Sequence, residues 1–572
     1  MSWKDGEVMQ RRHRVTRVGG AILATVPRGA RFSWAVPAHV PESDVASVED
    51  RWRPEAAARM GQRIRSLRLV PGERPDWVRG FRDAHAVRIL RSVSRLAGWR
   101  RGDAAPQGGS AVTSPSVRRC AAALGILLAT GPVFAAELPP PRLLRWEEDY
   151  RGLAARARAG DPVARLKHLE LAEGLSLSFG AQARATYERR GVPFGPRRQA
   201  DDALFTRLLL HGDLRIGEQA RLFLELGSHA VAGKRAPLAP ADRNRLDLQQ
   251  AFLDVGGSLG PGALALRLGR QEFAFDAQRF VTVRNGPNVR QAFDAARLDW
   301  TAPGGRLTAF AAQPVENRDL RAFDDRGDAD IRFVGLRAET LRLAGTPLGA
   351  ALYGYRYERD GARFGAVRAN ETRNVLGGRA TWAGGSFDAD LEAMLQGGRF
   401  ADREVLAWAI GSTAGKRLAS LPWAPRLGIQ FDLASGDDNP RDGRLATFNP
   451  LFPRGNNFTD ASYTGFSNLI HFKPNLILAP RADTRLLLAA GWLWRQTAQD
   501  AVYAQPFVPV AGTAGNGGGR RTGSYGQLRV EVTIARGTDL VVEAVHFLAG
   551  PALTASGGRD STYVKAEFSF RY

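Results

Sequence analysis

Between Gly269 and Leu298 the chain reads GRQEFAFDAQRFVTVRNGPNVRQAFDAARL, with Arg279, Arg284 and Arg290 spaced along a loop. Arg267 and Arg297 sit on the alternating segments that flank it. Guanidinium groups meet carboxylates and phosphates bidentately and keep their charge at any working pH. No acid lies between Arg279 and Arg290 to neutralise them. The chemistry expected is reversible anion binding, at a constriction if the loop folds into an enclosed space.

Other chemistry has little to work with. From residue 137 onward the histidines are His168, His211, His229, His471 and His546, and none belongs to a recognisable nucleophile arrangement. His546 shares an apolar face with Val542 and Leu548, which suits packing better than proton transfer. No Walker loop or dinucleotide fingerprint falls in a strand–helix context, so no cofactor is expected. The single cysteine, Cys120, excludes an intramolecular disulfide and a cysteine-based zinc site. Asp432, Asp437, Asp438, Asn439 and Asp442 could supply oxygen ligands to Ca²⁺, with Asp437, Asp438 and Asp442 the core of such a site. Their spacing is not that of an EF-hand loop, and an acidic turn rimming a mouth is the preferred reading.

The elements that position the arginines are strands. From Leu175 onward a period of two dominates. Leu175, Leu177, Phe179, Ala181, Ala183, Ala185 and Tyr187 share one face, opposite Ser176, Ser178, Gln182, Arg184, Thr186 and Glu188. Near the end, Val564, Ala566, Phe568, Phe570 and Tyr572 oppose Lys565, Glu567, Ser569 and Arg571. Such segments of about ten residues fit a tilted bilayer crossing, and about 18 of them occur. The fold predicted is all-β, a transmembrane antiparallel up-and-down barrel. Its parity places Arg184, Arg207, Arg215, Arg221, Arg267, Arg297, Arg356, Arg373, Arg379 and Arg529 toward the lumen. Lumenal acids such as Asp213, Glu225, Asp299, Asp388, Asp390 and Glu392 could pair with them and brace the wall. Trp300, Tyr357, Trp382, Trp492 and Trp494 suit interfacial girdles, and the stretches 434–465 and 500–522 read as long external connections. The final Phe-Ser-Phe-Arg-Tyr suits an assembly signal.

Net charge is +22 over 572 residues, which would ordinarily raise nucleic-acid binding. The charge is uneven. Residues 1–136 hold 23 basic against 11 acidic residues, and 137–572 hold 57 against 47. Only six of the basic residues are Lys. Residues 118–136, RRCAAALGILLATGPVFAA, order charge, apolar run, breaker and small residues as a secretory signal does. The chain therefore divides into a basic extension at 1–111, a signal peptide at 112–136 and a barrel at 137–572. The extension is read as an over-extended translation start or as disordered. Residues 137–170 suit a short helix or an irregular segment.

Four segments carry a resemblance to a known family: Arg145–Tyr150 (RWEEDY), Leu246–Asp254 (LDLQQAFLD), Gly269–Leu298, and Phe431–Pro453 (FDLASGDDNPRDGRLATFNPLFP). Residues 137–572 resemble the alginate export family of outer-membrane barrels. The resemblance implies a monomeric barrel of about 18 strands in the Gram-negative outer membrane, in contact with its lipid, passing an anionic polysaccharide outward. Arg279, Arg284, Arg290, Arg297, Arg267, Arg221, Arg207 and Arg184 would then line the path as exchangeable cation sites. A periplasmic scaffold of a secretion complex is the implied partner, and nucleic acid is not. The alternative is an anion-selective porin taking up small carboxylates; a barrel enzyme is the remaining one.

Overall fold

The computed structural model describes residues 138–191, 194, 201–340, 343 and 345–572, and before them only a backbone hairpin of Thr16–Val18 with Ala21–Leu23. The chain divides into two compact units, residues 1–109 and 110–572. The signal peptide expected at 112–136 and, apart from that hairpin, the extension at 1–111 lie outside the described residues.

Two-residue alternation produces eighteen long strands: β1 Leu175–Arg190, β2 Asp201–Ile216, β3 Ala220–Ala232, β4 Asn244–Leu259, β5 Gly262–Gln271, β6 Phe293–Ala302, β7 Gly305–Glu316, β8 Ile331–Thr340, β9 Leu348–Phe364, β10 Val367–Gly384, β11 Phe387–Phe400, β12 Arg403–Arg417, β13 Arg426–Ala434, β14 Leu469–Arg481, β15 Thr484–Trp494, β16 Arg521–Ala535, β17 Thr538–Ala549 and β18 Ser561–Arg571. Each pairs antiparallel with the next. The last returns to the first, from Tyr563 opposite Arg190 to Arg571 opposite Gln182, and closes the barrel. Closure leaves no unpaired edge.

One face of each strand is apolar and exposed. Leu376 on β10 and Leu395 on β11 are each 58% exposed, whereas their neighbours Arg373, Glu392 and Gln396 are buried inside. At the end where β1 begins and β18 ends, turns are short. Gly385, at φ 60°, makes the tight return from β10 to β11. The long connections 272–292, 317–330, 435–468 and 495–520 all leave the opposite end.

Two of these connections correct the sequence reading. The stretches 434–465 and 500–522 read as polar external loops, yet Phe448, Phe452, Phe458 and Tyr463 in the first, Phe466 just past it, and Val502 in the second are buried. They join Phe273, Phe275, Phe280 and Phe293 of the connection 272–292 in one apolar core inside the barrel, against Phe310, Phe333, Tyr353, Tyr355 and Tyr357 of the wall. Tyr357 is therefore a core residue and not part of an interfacial girdle. Arg356 is a second correction. It lies on the outward face, its side chain 54% exposed, bonded to Glu358 at 2.6 Å. The inward positions of β9 are taken by Tyr353, Tyr355 and Tyr357, which pack the loops.

Residues 138–174 precede the wall. Turns at Arg145–Glu147 and Arg151–Leu153 lead to short helices Ala154–Arg158 and Pro162–Lys167. Asp161 caps the second, accepting from the Val163 and Ala164 amides at 3.0 and 3.1 Å, with Pro162 at its first position. Leu138, Tyr150, Leu153, Ala157 and Ala164 pack together against Tyr572, at the short-turn end.

Candidate functional site in the barrel lumen

The connection 272–292 enters the barrel and is held there by wall residues. Arg207 donates from Nε to the Asn288 carbonyl at 2.8 Å and from Nη2 to the Pro287 carbonyl at 2.5 Å. Arg184 donates to the carbonyls of Asn285 at 2.6 Å and Pro287 at 2.9 Å. Asn288 in turn donates to the backbone carbonyls of Thr206, Ala230 and Asp242. A turn folded inward exposes carbonyls that would otherwise lack donors, and buried polar groups must be paired. Arg184 and Arg207 supply those donors. The Phe452 amide donates to the Phe280 carbonyl at 2.9 Å, which ties the two inward connections together.

Most of the expected anion sites already have a carboxylate. Arg221 Nε lies 2.6 Å from Asp213, and Arg267 Nε 2.6 Å from Asp254. Arg297 lies 2.6 Å from Asp299, and Arg290 2.6 Å from Glu272. Arg279 crosses the lumen to Asp390 at 2.7 Å and Glu392 at 3.1 Å on β11. Burial opposes the charge of Arg279, but these two carboxylates outweigh it and raise its affinity for the proton. The lumen is thus a ladder of arginine–carboxylate pairs.

Arg284 is different. Among the described residues its guanidinium has no hydrogen-bond or ion-pair partner, and its Nε is buried. Burial, with no carboxylate to offset it, lowers its proton affinity from the ordinary arginine value, and an arginine remains charged after such a shift. Its backbone is left-handed, at φ 51°, a conformation costly for a long side chain. Thr282 Oγ1 accepts from the Arg284 amide at 3.2 Å and is itself bonded to Gln278 at 2.8 Å, which stabilises the turn. Arg284 lines a chamber of about 740 Å³ bounded by β1, the connections 284–288 and 455–462, and Gln505–Pro506.

Several site residues are not singled out as such by the sequence, although Arg145 and Trp146 fall in the RWEEDY segment that carries the family resemblance. Trp146 enters the lumen and stacks on Arg267, 3.7 Å from guanidinium carbon to ring centroid, with Phe252 edge-on to the ring at 6.4 Å. The Leu143 carbonyl accepts from Arg290 at 3.0 Å. Arg145 pairs with Glu148 at 2.8 Å and donates to the Tyr572 carbonyl at 2.7 Å. Residues 142–150 thus form a strap across the short-turn end. Asp460, carried inward by 435–468, meets Lys565 and Arg529 at 2.5 Å each, which fastens that connection to β16 and β18.

The acidic stretch 432–442, where an acidic turn is the preferred reading over a Ca²⁺ site, does not bring its carboxylates together. Asp437 is paired with Arg403 at 2.5 Å, Asp442 accepts from the Arg444 amide at 2.9 Å, and Asp438 is exposed. These oxygens do not converge. Among the described residues the only group of three or more such side chains whose ligand atoms lie within 4.8 Å of one another is Asp247, Asp324 and Asp325, where Asp247 of β4 accepts from the Asp325 amide and Asp324 from the Arg321 amide. His471 bonds Asp432 and Tyr525 at 2.9 Å each and is fully buried, so it braces β13, β14 and β16. The pattern Gly-x-Ser-x-Gly at Gly256–Gly260 runs along β4 into a tight turn, not the strand-to-helix elbow of a nucleophile.

The sequence matches the alginate export family over residues 175–567, more than half of its length. The chain belongs to the alginate export family. This family member is an outer-membrane β-barrel of the porin type, and its family and fold are those of channels. Similar solved structures include OccAB1 of Acinetobacter baumannii, at 10% identity over 71% of this chain and 99% of that one, with a TM-score of 0.49. OccD3 of Pseudomonas aeruginosa is 13% identical over 71% of this chain and 93% of that one, at 0.47. The outer membrane protein opdK of the same organism is 11% identical over 69% and 98%, at 0.46. No curated protein matches the alginate export chain.

Proposed function

We propose that the chain passes an anionic, alginate-type polysaccharide outward through the outer membrane. The carrying observation is the ladder of arginine–carboxylate pairs in the lumen, Arg221–Asp213, Arg267–Asp254, Arg297–Asp299 and Arg279–Asp390. A uronate polymer brings one carboxylate per sugar. Each can displace a wall carboxylate from its guanidinium and then be displaced in turn, so the polymer is held at every step and trapped at none. An unpaired ring of arginines would bind a polyanion too tightly to release it.

A second reading, uptake of small carboxylates, is favoured by the chamber, whose volume of about 740 Å³ is that of a small-ligand pocket. Planar-bilayer recording separates the two. Oligouronates of increasing length should block the current with rising affinity, and Arg279→Gln should weaken that block. Block that does not depend on length, with vesicle swelling by monomeric carboxylates, would favour uptake.

A further inference from the structure

Three carboxylates crowd together where the connection 317–330 lies against the barrel wall. Asp247 comes from β4, and Asp324 and Asp325 come from the connection, which joins β7 to β8. One oxygen of each lies within 4.8 Å of the others. Backbone amides hold them there: Asp325 donates to Asp247 at 3.0 Å, Arg318 to Asp325 at 2.6 Å and Arg321 to Asp324 at 3.1 Å. Each such bond occupies one lone pair and leaves the like charges facing one another. Guanidinium groups do not balance them. Arg270, at 3.7 Å from Asp247, is committed to Asp294 at 2.8 Å. Arg318 and Arg326 turn to Glu316, at 3.7 and 3.1 Å, and Arg321 is exposed. Asn244 points to what completes the group. It is 2% exposed, at the start of β4, and its Nδ2 donates to Asp325 at 2.6 Å. Its Oδ1 is buried without a donor, and so is Oδ1 of Asp324. Buried acceptors that no N–H or O–H reaches are costly unless something positive completes them.

We infer that Asp247, Asp324, Asp325 and Asn244 together bind one Ca²⁺ ion. The donors are all oxygen, which suits a hard cation better than zinc or copper. Bonds of about 2.3–2.6 Å to Ca²⁺ put opposed ligands about 5 Å apart, which matches the spread of these oxygens. Mg²⁺ demands a tighter, near-ideal octahedron, and ligands drawn from a wall and a connection are poorly placed to supply it. Water fills the remaining positions from the cleft that Asp324 and Asp325 line with Phe323. Once bound, the ion pins the connection to β4, three strands round the barrel from β7. It thereby fixes one side of the mouth at the long-connection end. Cation binding here is independent of what the channel carries.

The test is calorimetric titration of the chelator-stripped, detergent-solubilised full chain with calcium chloride and with magnesium chloride at pH 7.5. One Ca²⁺ should bind with a Kd on the order of 10⁻⁴ M, and Mg²⁺ about tenfold more weakly. Asp324→Asn should cost about tenfold in Ca²⁺ affinity and Asn244→Ala several-fold, because each removes an oxygen or its charge. Asp438→Asn, at an exposed acid on another connection, should change nothing. Trypsin supplies a second readout, since Arg318, Arg321 and Arg326 lie in the connection. Ca²⁺ should slow cleavage there in the parent protein and not in Asp324→Asn. The mobility of the unboiled barrel on gels reports that each variant is closed. Unaltered Ca²⁺ affinity in closed Asp324→Asn and Asn244→Ala barrels would overturn the inference. So would Mg²⁺ binding as tightly as Ca²⁺, no saturable Ca²⁺ binding below about 10 mM, or cleavage indifferent to the ion. None of these results bears on conductance or on oligouronate block, so the transport reading stands or falls separately.

Discussion

Glu272 and Arg290 face each other at 2.6 Å, neither exposed to water, at the two ends of the inward connection. Gln249 donates to the same carboxylate at 3.0 Å, and Arg290 also reaches the Leu143 carbonyl. Removing one partner of such a pair leaves a charge buried alone, which costs about 3–5 kcal/mol. Glu272→Gln should therefore loosen the connection 272–292, seen as faster protease nicking there while the barrel itself stays closed. Identical nicking in both proteins would show that Arg290 is satisfied without its acid. At this scale the sequence was legible for residue type and misleading for partnership. The absence of acids between Arg279 and Arg290 suggested free cations, but Asp390 and Glu392 come from β11 across the lumen. Charge balance inside a barrel is set across its diameter, where spacing along the chain carries no information.

Alternating strands are the most legible elements, because each must present an apolar face to lipid and a polar face inward. The inward connections are not legible in this way. Their buried aromatics, Phe448, Phe452, Phe458 and Phe466, are scattered among Gly, Asn, Pro and Asp and follow no period. The strap at 142–150 likewise reads as an irregular acidic segment until Trp146 is seen against Arg267. Trp146→Ala should raise single-channel conductance, and deleting residues 138–150 should raise it further; unchanged conductance in both would mean that ions pass elsewhere. The connection 317–330 responds to pH instead. Burial, together with the nearby Asp247 carboxylate, raises the Asp325 carboxyl from 3.8 to about 6. The folded loop then holds a proton more firmly than the unfolded one. Its stability is fullest below about pH 4 and falls as pH rises toward about 6. A spin label within 317–330 should gain mobility over that window, and Asp325→Asn should flatten the response.

As a whole molecule the protein is a shell whose outside obeys a simple rule and whose inside is particular. The outer rule, a closed sheet with leucines toward lipid, follows from the cost of unpaired backbone groups in hydrocarbon. The interior must instead satisfy two demands, a packed support for the inward connections and a wet path beside them. The aromatic core meets the first and the ladder of ion pairs the second. The strap carries a further implication for how the molecule is made. Arg145 donates to the Tyr572 carbonyl just beyond β18, with a longer contact to the Ala181 carbonyl on β1. Those two acceptors come together only when the last strand has zipped to the first. Residues 142–150 can therefore take their seat only after circularisation, so the segment synthesised ahead of the barrel is the one that finishes it.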